Sequence, residues 1–229
     1  IVQVERAFCT ESMRYYNTTS RLGVFMITLI VDYDAGNLRS VQRACHRVGL
    51  DAKITKDPWL VAKADKIIFP GVGTAESAMA TLKRQGLDEA LMEFFSSGKP
   101  LLGICLGLQI ALEFSEEGNK QCLGFIPGAC ERFSFSDRSL KVPHIGWNEL
   151  DIVQDHPILR SIQNKDEFYF VHSYFAHPQS EAHVFGRTNY GDVEFASVIG
   201  RENFFATQFH LEKSGELGLR LLAAFSAWN

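Results

Sequence analysis

Only five of the 229 residues are cysteine, and no two of them form a C-x-x-C pair. A disulfide framework or a structural zinc site is not expected from so odd and irregular a set, and a reducing cytosol is the expected location. Long apolar runs are missing as well. No stretch approaches the roughly 18 residues that a membrane-spanning helix needs, so a membrane protein is excluded as an expectation. Neither sign of charge dominates, since 23 Lys and Arg stand against 27 Asp and Glu for a net charge of −4. That balance gives no electrostatic pull toward nucleic acid or an anionic membrane. There is no phosphate-binding signature with the Lys and Ser/Thr of a P-loop and no metal-ligand cluster, so neither cofactor nor metal is expected. What the chain does have is bulk: 46% hydrophobic residues, with 18 Phe, six Tyr and three Trp, enough for a sizeable core.

Residues 1–25 differ from the rest of the chain. They show no helical or strand period and carry Glu5, Arg6, Glu11 and Arg14 where a signal peptide would need an apolar run. They are read as an N-terminal extension, disordered or non-native, and the functional domain as residues 26–229. From Met26 the pattern becomes regular. Ile27 to Val31 is a short buried strand, and Leu38, Val41, Ala44, Cys45 and Val48 mark a helix that Gly49 ends. Further strands are predicted at Ala52 to Thr55, Lys66 to Phe69 and Leu101 to Ile104, with a helix from Leu87 to Gly98 between the last two. This alternation argues an α/β fold, a mostly parallel sheet flanked by helices. From about Gly124 to His210 short aromatic and β-branched runs predict additional strands: Arg132 to Phe135, Glu167 to Tyr174, His183 to Arg187, Phe195 to Ile199 and Phe204 to His210. A helix from about Ser214 closes the chain. No linker or repeat divides it, and one domain is expected.

Three local patterns carry chemistry. Gly103-Ile104-Cys105-Leu106-Gly107 follows an apolar strand and is expected to open an apolar helix running through Glu113. That is the setting of a nucleophile elbow with Cys in place of Ser, and its glycines leave room in a strained turn. A helix N-terminus would also favour the thiolate. The same residues read equally well as a buried cysteine in a glycine-flanked turn. Second, Gln208-Phe209-His210-Leu211-Glu212 lies at a predicted strand end, where residues two apart share a face, so Glu212 can orient His210. A thiol nucleophile needs such a base and such an orienting partner. Third, Pro70-Gly71-Val72-Gly73 is a Gly-rich loop directly after a strand. It reads as an oxyanion-hole wall beside Cys105, as an anion-binding loop, or as a plain tight turn.

Together these motifs resemble the class I glutamine amidotransferase family. Asp32-Tyr33-Asp34-Ala35-Gly36-Asn37-Leu38, Pro70 to Gly73, Val142-Pro143-His144-Ile145-Gly146-Trp147-Asn148 and Tyr169-Phe170-Val171-His172-Ser173-Tyr174 bring the match closest to the glutaminase subunits that serve histidine biosynthesis. The resemblance covers Met26 to the C-terminus. It implies a flavodoxin-like core with Cys105 as nucleophile, His210 as base and Glu212 as its orienting partner. It further implies that Val72, Gly73 and Leu106 form the oxyanion hole and that Gly71, Gln109, Glu117, Ser173 and Tyr174 hold the substrate glutamine. Glu117 also reads as a solvated charge in Ser115-Glu116-Glu117-Gly118.

The partner implied is a cyclase of (β/α)₈-barrel type in a heterodimer, which uses the ammonia released. His144, Trp147 and Asn148 are expected at that interface, although a Trp between Gly and Asn reads as easily as a core residue. The family usually places Pro where this chain has Leu211, which is expected to loosen the hold of Glu212 on His210. The rival expectations are a glutaminase for another ammonia acceptor, a thiol hydrolase on a similar scaffold, and a non-catalytic subunit.

Overall fold

The computed structural model describes residues 26–137 and 139–229. The proposed extension at residues 1–25 lies outside them. In the first half strands and helices alternate: β1 (Thr28–Val31), α1 (Leu38–Arg47), β2 (Ala52–Thr55), α2 (Pro58–Lys63) and β3 (Lys66–Gly71). Then come α3 (Ala75–Gln85), α4 (Leu87–Ser96), β4 (Leu101–Cys105) and α5 (Leu106–Gln109). Strands dominate the second half, as β5 (Leu112–Ser115), β6 (Lys120–Gln121), β7 (Ile126–Arg132), β8 (His144–Ile152) and β9 (Asp166–His172). They continue as β10 (Tyr174–Pro178), β11 (Val184–Tyr190), β12 (Val193–Arg201) and β13 (Phe204–Thr207). A 3₁₀ turn, Leu211–Lys213, leads into the last helix, α6 (Gly215–Ala227).

Five strands in the order β2-β1-β3-β4-β13 run parallel and form one side of the sheet, from the edge strand β2 inward. Strands β1, β3, β4 and β13 are buried along their whole length, which is why each reads as a continuous apolar run with little alternation. Their side chains nonetheless alternate between two cores. Leu29, Val31, Ile67, Phe69 and Leu101 pack with α2, α3 and α4 on one face. Ile30, Ile68, Leu102 and Phe205 pack with α1 and α6 on the other. From β13 the order continues through β12, β10, β7, β5 and β6, while β8, β9 and β11 branch from β12. The expected α/β sheet with additional strands, some antiparallel, is what the chain forms.

Several local expectations need correction. The helix expected from Leu106 to Glu113 is one turn long, and Leu112–Ser115 is instead a strand. Leu112 pairs with Ile126 and Phe114 with Ala129, so ladder hydrogen bonds to β7 override a helical apolar pattern. The single strand expected from Glu167 to Tyr174 is two, broken at Ser173, where the chain leaves its pairing with β8 and joins β7. The strand expected at Arg132 to Phe135 ends at Arg132 and begins earlier, at Ile126. Helix α3 and strand β8 were not among the expected elements; Thr74 caps α3 by accepting from the Ser77 N–H, and Gly86 ends it at φ +68.

Candidate active site

Strands β3, β4 and β13 are parallel neighbours, with Gly71 opposite Cys105 and Thr207 opposite Ile104. Their carboxyl ends therefore lie side by side, and each hands the chain to one of the three motifs. In open parallel sheets this edge is where ligands bind.

Cys105 ends β4 in a backbone conformation of φ +55 and ψ −103, which a non-glycine residue adopts only under constraint. The glycines on either side supply that constraint. A Cβ on Gly107 would stand 1.9 Å from the carbonyl oxygen of Phe69, and one on Gly103 would stand 2.9 Å from the Ala206 Cβ and 3.1 Å from the Gly107 backbone. The elbow is thus pressed against β3 and β13 with no side-chain spacer. Helix-dipole assistance to the thiolate, expected from a long helix, reduces to the free N–H groups of one turn.

His210 Nδ1 lies 2.8 Å from Glu212 Oε1, and both side chains are almost wholly buried. The contact does not arise from strand alternation as expected. β13 ends at Thr207, and Glu212 reaches back from the 3₁₀ turn that begins at Leu211. Tyr169 anchors His210: its carbonyl accepts from the His210 N–H at 3.0 Å, and its own N–H donates at 3.0 Å to Ser214 Oγ. That hydroxyl in turn donates to the His210 carbonyl at 2.6 Å. Leu211 is buried in the core, and Ser214 N–H closes the turn on its carbonyl at 3.2 Å. With Leu211 in this turn, Glu212 Oε1 stands within hydrogen-bond reach of His210 Nδ1. Burial alone would lower the imidazole pKa, but charge on Cys105 and the bond and charge of Glu212 outweigh it and raise His210 to about 10.

Cys105 and His210 share a cavity of about 370 Å³. Val72, Gly73 and Leu106 line it, as do Gln109, Glu117, Ser173 and Tyr174, so most of the residues expected to surround glutamine surround this space. Gly73 turns the loop at φ +107, a conformation that favours glycine. Gly71, expected to hold glutamine, is not among the residues that line the cavity. A Cβ there would lie 1.8 Å from the Tyr33 hydroxyl, so its smallness serves the packing of a buried tyrosine. Glu117 Oε2 accepts from the Ala75 N–H at 2.6 Å at the start of α3, and burial raises its pKa. Among the described cysteines the other three are unsuited to attack: burial pushes Cys45 up to about 12, Cys122 to about 11 and Cys130 well above the usual thiol range.

Three residues of the site escaped the sequence reading. Gln208, fully buried, places Nε2 3.8 Å from Cys105 Sγ. Asn37 donates from its amide to Glu212 Oε1 across 175 positions of chain. Lys213 lines the cavity with its ammonium 5.6 Å from the centre of the Tyr169 ring. Gln208 and Lys213 flank the His-x-Glu motif, which was the available signal; for Asn37 the signal was its turn motif.

Trp147 is 53% exposed on β8, edge-on to Tyr169 at 6.1 Å, and Ile145 beside it is also exposed. Asn148 is half-buried. His144 corrects the third interface expectation, since it is 3% exposed and turned into an aromatic core between Phe170 and Tyr190.

The pattern of the family described as Glutamine amidotransferase class-I matches residues 29–226. The chain is 47% identical over 201 residues to the imidazole glycerol phosphate synthase subunit HisH of Maridesulfovibrio salexigens, covering 86% of this chain and 94% of that one. It is 45% identical over 203 residues to the protein of the same name from Nitrosococcus oceani, covering 87% and 96%. Among solved structures, PurLQS from Thermotoga maritima aligns over 89% of this chain and 99% of its own, with a TM-score of 0.67 and 18% identity, a likeness of fold alone.

Proposed function

This chain belongs to the class I glutamine amidotransferases, and on that premise we infer that it is the glutaminase subunit of imidazole glycerol phosphate synthase in histidine biosynthesis. It hydrolyses glutamine to glutamate and ammonia. The ammonia goes to a cyclase subunit that makes imidazole glycerol phosphate and an aminoimidazole carboxamide ribonucleotide. Relatives near 45% identity over most of both chains favour this acceptor over another amidotransferase's. Among the described residues no helix is long and apolar enough to cross a membrane, and four free thiols favour a cytoplasmic setting.

The observation that carries the mechanism is a cysteine held at a strained elbow in one cavity with an imidazole whose far nitrogen a buried carboxylate grips. Cys105 thiolate attacks the side-chain amide carbon of glutamine. The backbone N–H of Leu106 and one from the loop of Val72 and Gly73 receive the oxyanion. Protonated His210, its charge balanced by Glu212, gives its proton to the departing ammonia. A water then attacks the glutamyl thioester, returning its proton through His210 as glutamate and the thiolate are released. Gln109, Ser173 and Tyr174 hold the substrate, and Glu117, a half-buried carboxylate with no ion pair among the described residues, suits the α-ammonium. The partner is a (β/α)₈-barrel cyclase, docked on the face bearing Trp147 and Asn148.

Glutamate release from the chain alone, with the cyclase, and with the cyclase and its ligand tests this reading. Cys105→Ala is expected to abolish release in every state while the far-UV and near-UV circular dichroism stay those of the wild type. Turnover in the folded variant would overturn the choice of nucleophile.

A further inference from the structure

A line of hydrogen bonds runs inward from the exposed strand β8 to the glutamine pocket. Asn148 Nδ2 lies 3.3 Å from His144 Nε2, His144 Nδ1 lies 3.1 Å from His172 Nε2, and His172 Nδ1 lies 2.8 Å from the carbonyl oxygen of Tyr174. Gln109 Nε2 donates to that same oxygen at 2.9 Å and to Gln208 Oε1 at 3.4 Å, and Gln208 Nε2 reaches the sulfur of Cys105 at 3.8 Å. We propose that His144 and His172 are positioning residues, a two-imidazole relay through which the partner-facing strand sets the Tyr174 carbonyl, and with it Gln109 and Gln208 against Cys105. This deepens the glutaminase reading above and rests on it.

The chemistry of the atoms leaves one arrangement of protons. A carbonyl only accepts, so His172 Nδ1 bears hydrogen. His172 Nε2 is then a lone pair in the neutral ring and must receive the Nδ1–H of His144. His144 Nε2 is left bare and receives the Asn148 amide. The orientation of that amide is settled independently, because Nδ2 also donates to the Asn189 carbonyl at 2.9 Å and Oδ1 accepts the Glu149 N–H at 2.9 Å. Each link carries one hydrogen, and all point inward. A proton added to either ring would set two donors face to face.

The surroundings keep both rings neutral and fixed. His144 stacks between Phe170 at 4.9 Å and Tyr190 at 4.1 Å, and His172 sits 5.2 Å from both Phe133 and Phe195. Burial lowers His144 to about 4 and His172 to about 3. Neither ring is the nucleophile's base, and His144 does not reach the surface. A core that needed only bulk here would be better filled by phenylalanine, since half-satisfied buried polar groups cost stability. The relay joins the strand of Trp147 to a carbonyl that the pocket also uses.

The test uses the full chain in complex with its cyclase. Nitrogen-15 NMR of the imidazoles at neutral pH is expected to show both rings as the Nδ1–H tautomer, the less favoured form of free imidazole side chains in water. His144→Phe preserves the aromatic stack and removes two hydrogen bonds. It is expected to lower kcat for glutamine about tenfold, the effect of one lost buried hydrogen bond, with cyclase affinity unchanged. His144→Gln, with both a donor and an acceptor, should restore most of that loss. Asn148→Ala should give a smaller loss and release His144 to a mixture of tautomers, and it decides the matter if His144→Phe does not fold. An Nε2–H tautomer at either ring in the wild type would overturn the relay. So would wild-type kcat and KM in folded His144→Phe, equal losses in the Phe and Gln variants, or no change of tautomer and rate in Asn148→Ala. A wild-type complex that releases no glutamate overturns the glutaminase reading instead, while the tautomers still judge the relay.

Discussion

Asn37 and Glu212, 175 positions apart, meet at a single oxygen: Glu212 Oε1 accepts both the Asn37 amide and the Nδ1–H of His210, while Oε2 is buried with no partner among the described residues. The carboxylate is thereby fixed in orientation from the first βα turn, where Asn37 holds φ +71 ahead of α1. The His210–Glu212 pair is thus held by segments 175 positions apart in the chain.

Replacing Asn37 with Asp tests that contact. Asp tolerates the same left-handed backbone, but two carboxylates would then share one donor. One must take up a proton or turn away from His210. Stimulated glutaminase kcat is expected to fall by about tenfold to a hundredfold at pH 8. Steady-state glutamate release from pH 6 to 8 checks it, with partial recovery at the acid end, where one carboxyl is protonated.

Gly107→Ala is expected to be more damaging than Gly103→Ala. The first Cβ would enter the Phe69 carbonyl at 1.9 Å, whereas the second meets a methyl group at 2.9 Å. Overpacking of this kind costs about 1–3 kcal/mol, more where the obstacle is backbone. Thermal unfolding should rank the variants in that order, and Gly107→Ala should lose glutaminase activity by displacing Cys105.

Stability should decline with acid in a window that the two relay histidines define. Each is depressed in the folded chain, to about 4 and about 3, whereas an unfolded imidazole takes up its proton near pH 6.5. The contribution of these two rings is therefore full above pH 6.5 and is lost as the pH falls toward 4, because the unfolded rings bind protons that the folded ones refuse, while His210, raised to about 10, acts in the opposite sense and offsets part of the drop. His156, also depressed to about 4 by burial, acts in the same sense as the relay pair. The relay pair should cost on the order of 1–2 kcal/mol per histidine at pH 5. Urea unfolding at pH 7.5 and pH 5 measures it, and His144→Phe should lessen the drop.

Trp147→Ala is expected to leave the fold within about 0.5 kcal/mol, since the residue is half in solvent and stands edge-on to Tyr169 at 6.1 Å. If the cyclase docks on this face as proposed, Trp147, exposed beside Ile145, serves as an anchor, and its loss should weaken assembly by about 2 kcal/mol or more. Titration calorimetry with the cyclase checks this, and unchanged affinity would remove Trp147 from the interface.

Local sequence settled much of this protein. Continuous apolar runs such as Leu101 to Ile104 foretold buried parallel strands, and Gly103 to Gly107 with His210 and Glu212 pointed to groups that the structure brings to one edge of the sheet, because strand burial and the sterics of a tight elbow are written in adjacent residues. Strand β8, the break at Ser173 and the one-turn α5 depended on pairing with distant strands, whose hydrogen bonds outweigh local periodicity. Asn37 beside Glu212, Gln208 beneath the Cys105 sulfur and the buried turn of His144 toward His172 had the same origin. Each unites groups that are 28 to 175 positions apart, and such contacts leave no period in the chain. They exist because the parallel order of β3, β4 and β13 gathers their carboxyl ends at one edge, and because burial obliges each polar atom there to find its partner in whatever segment the fold brings near.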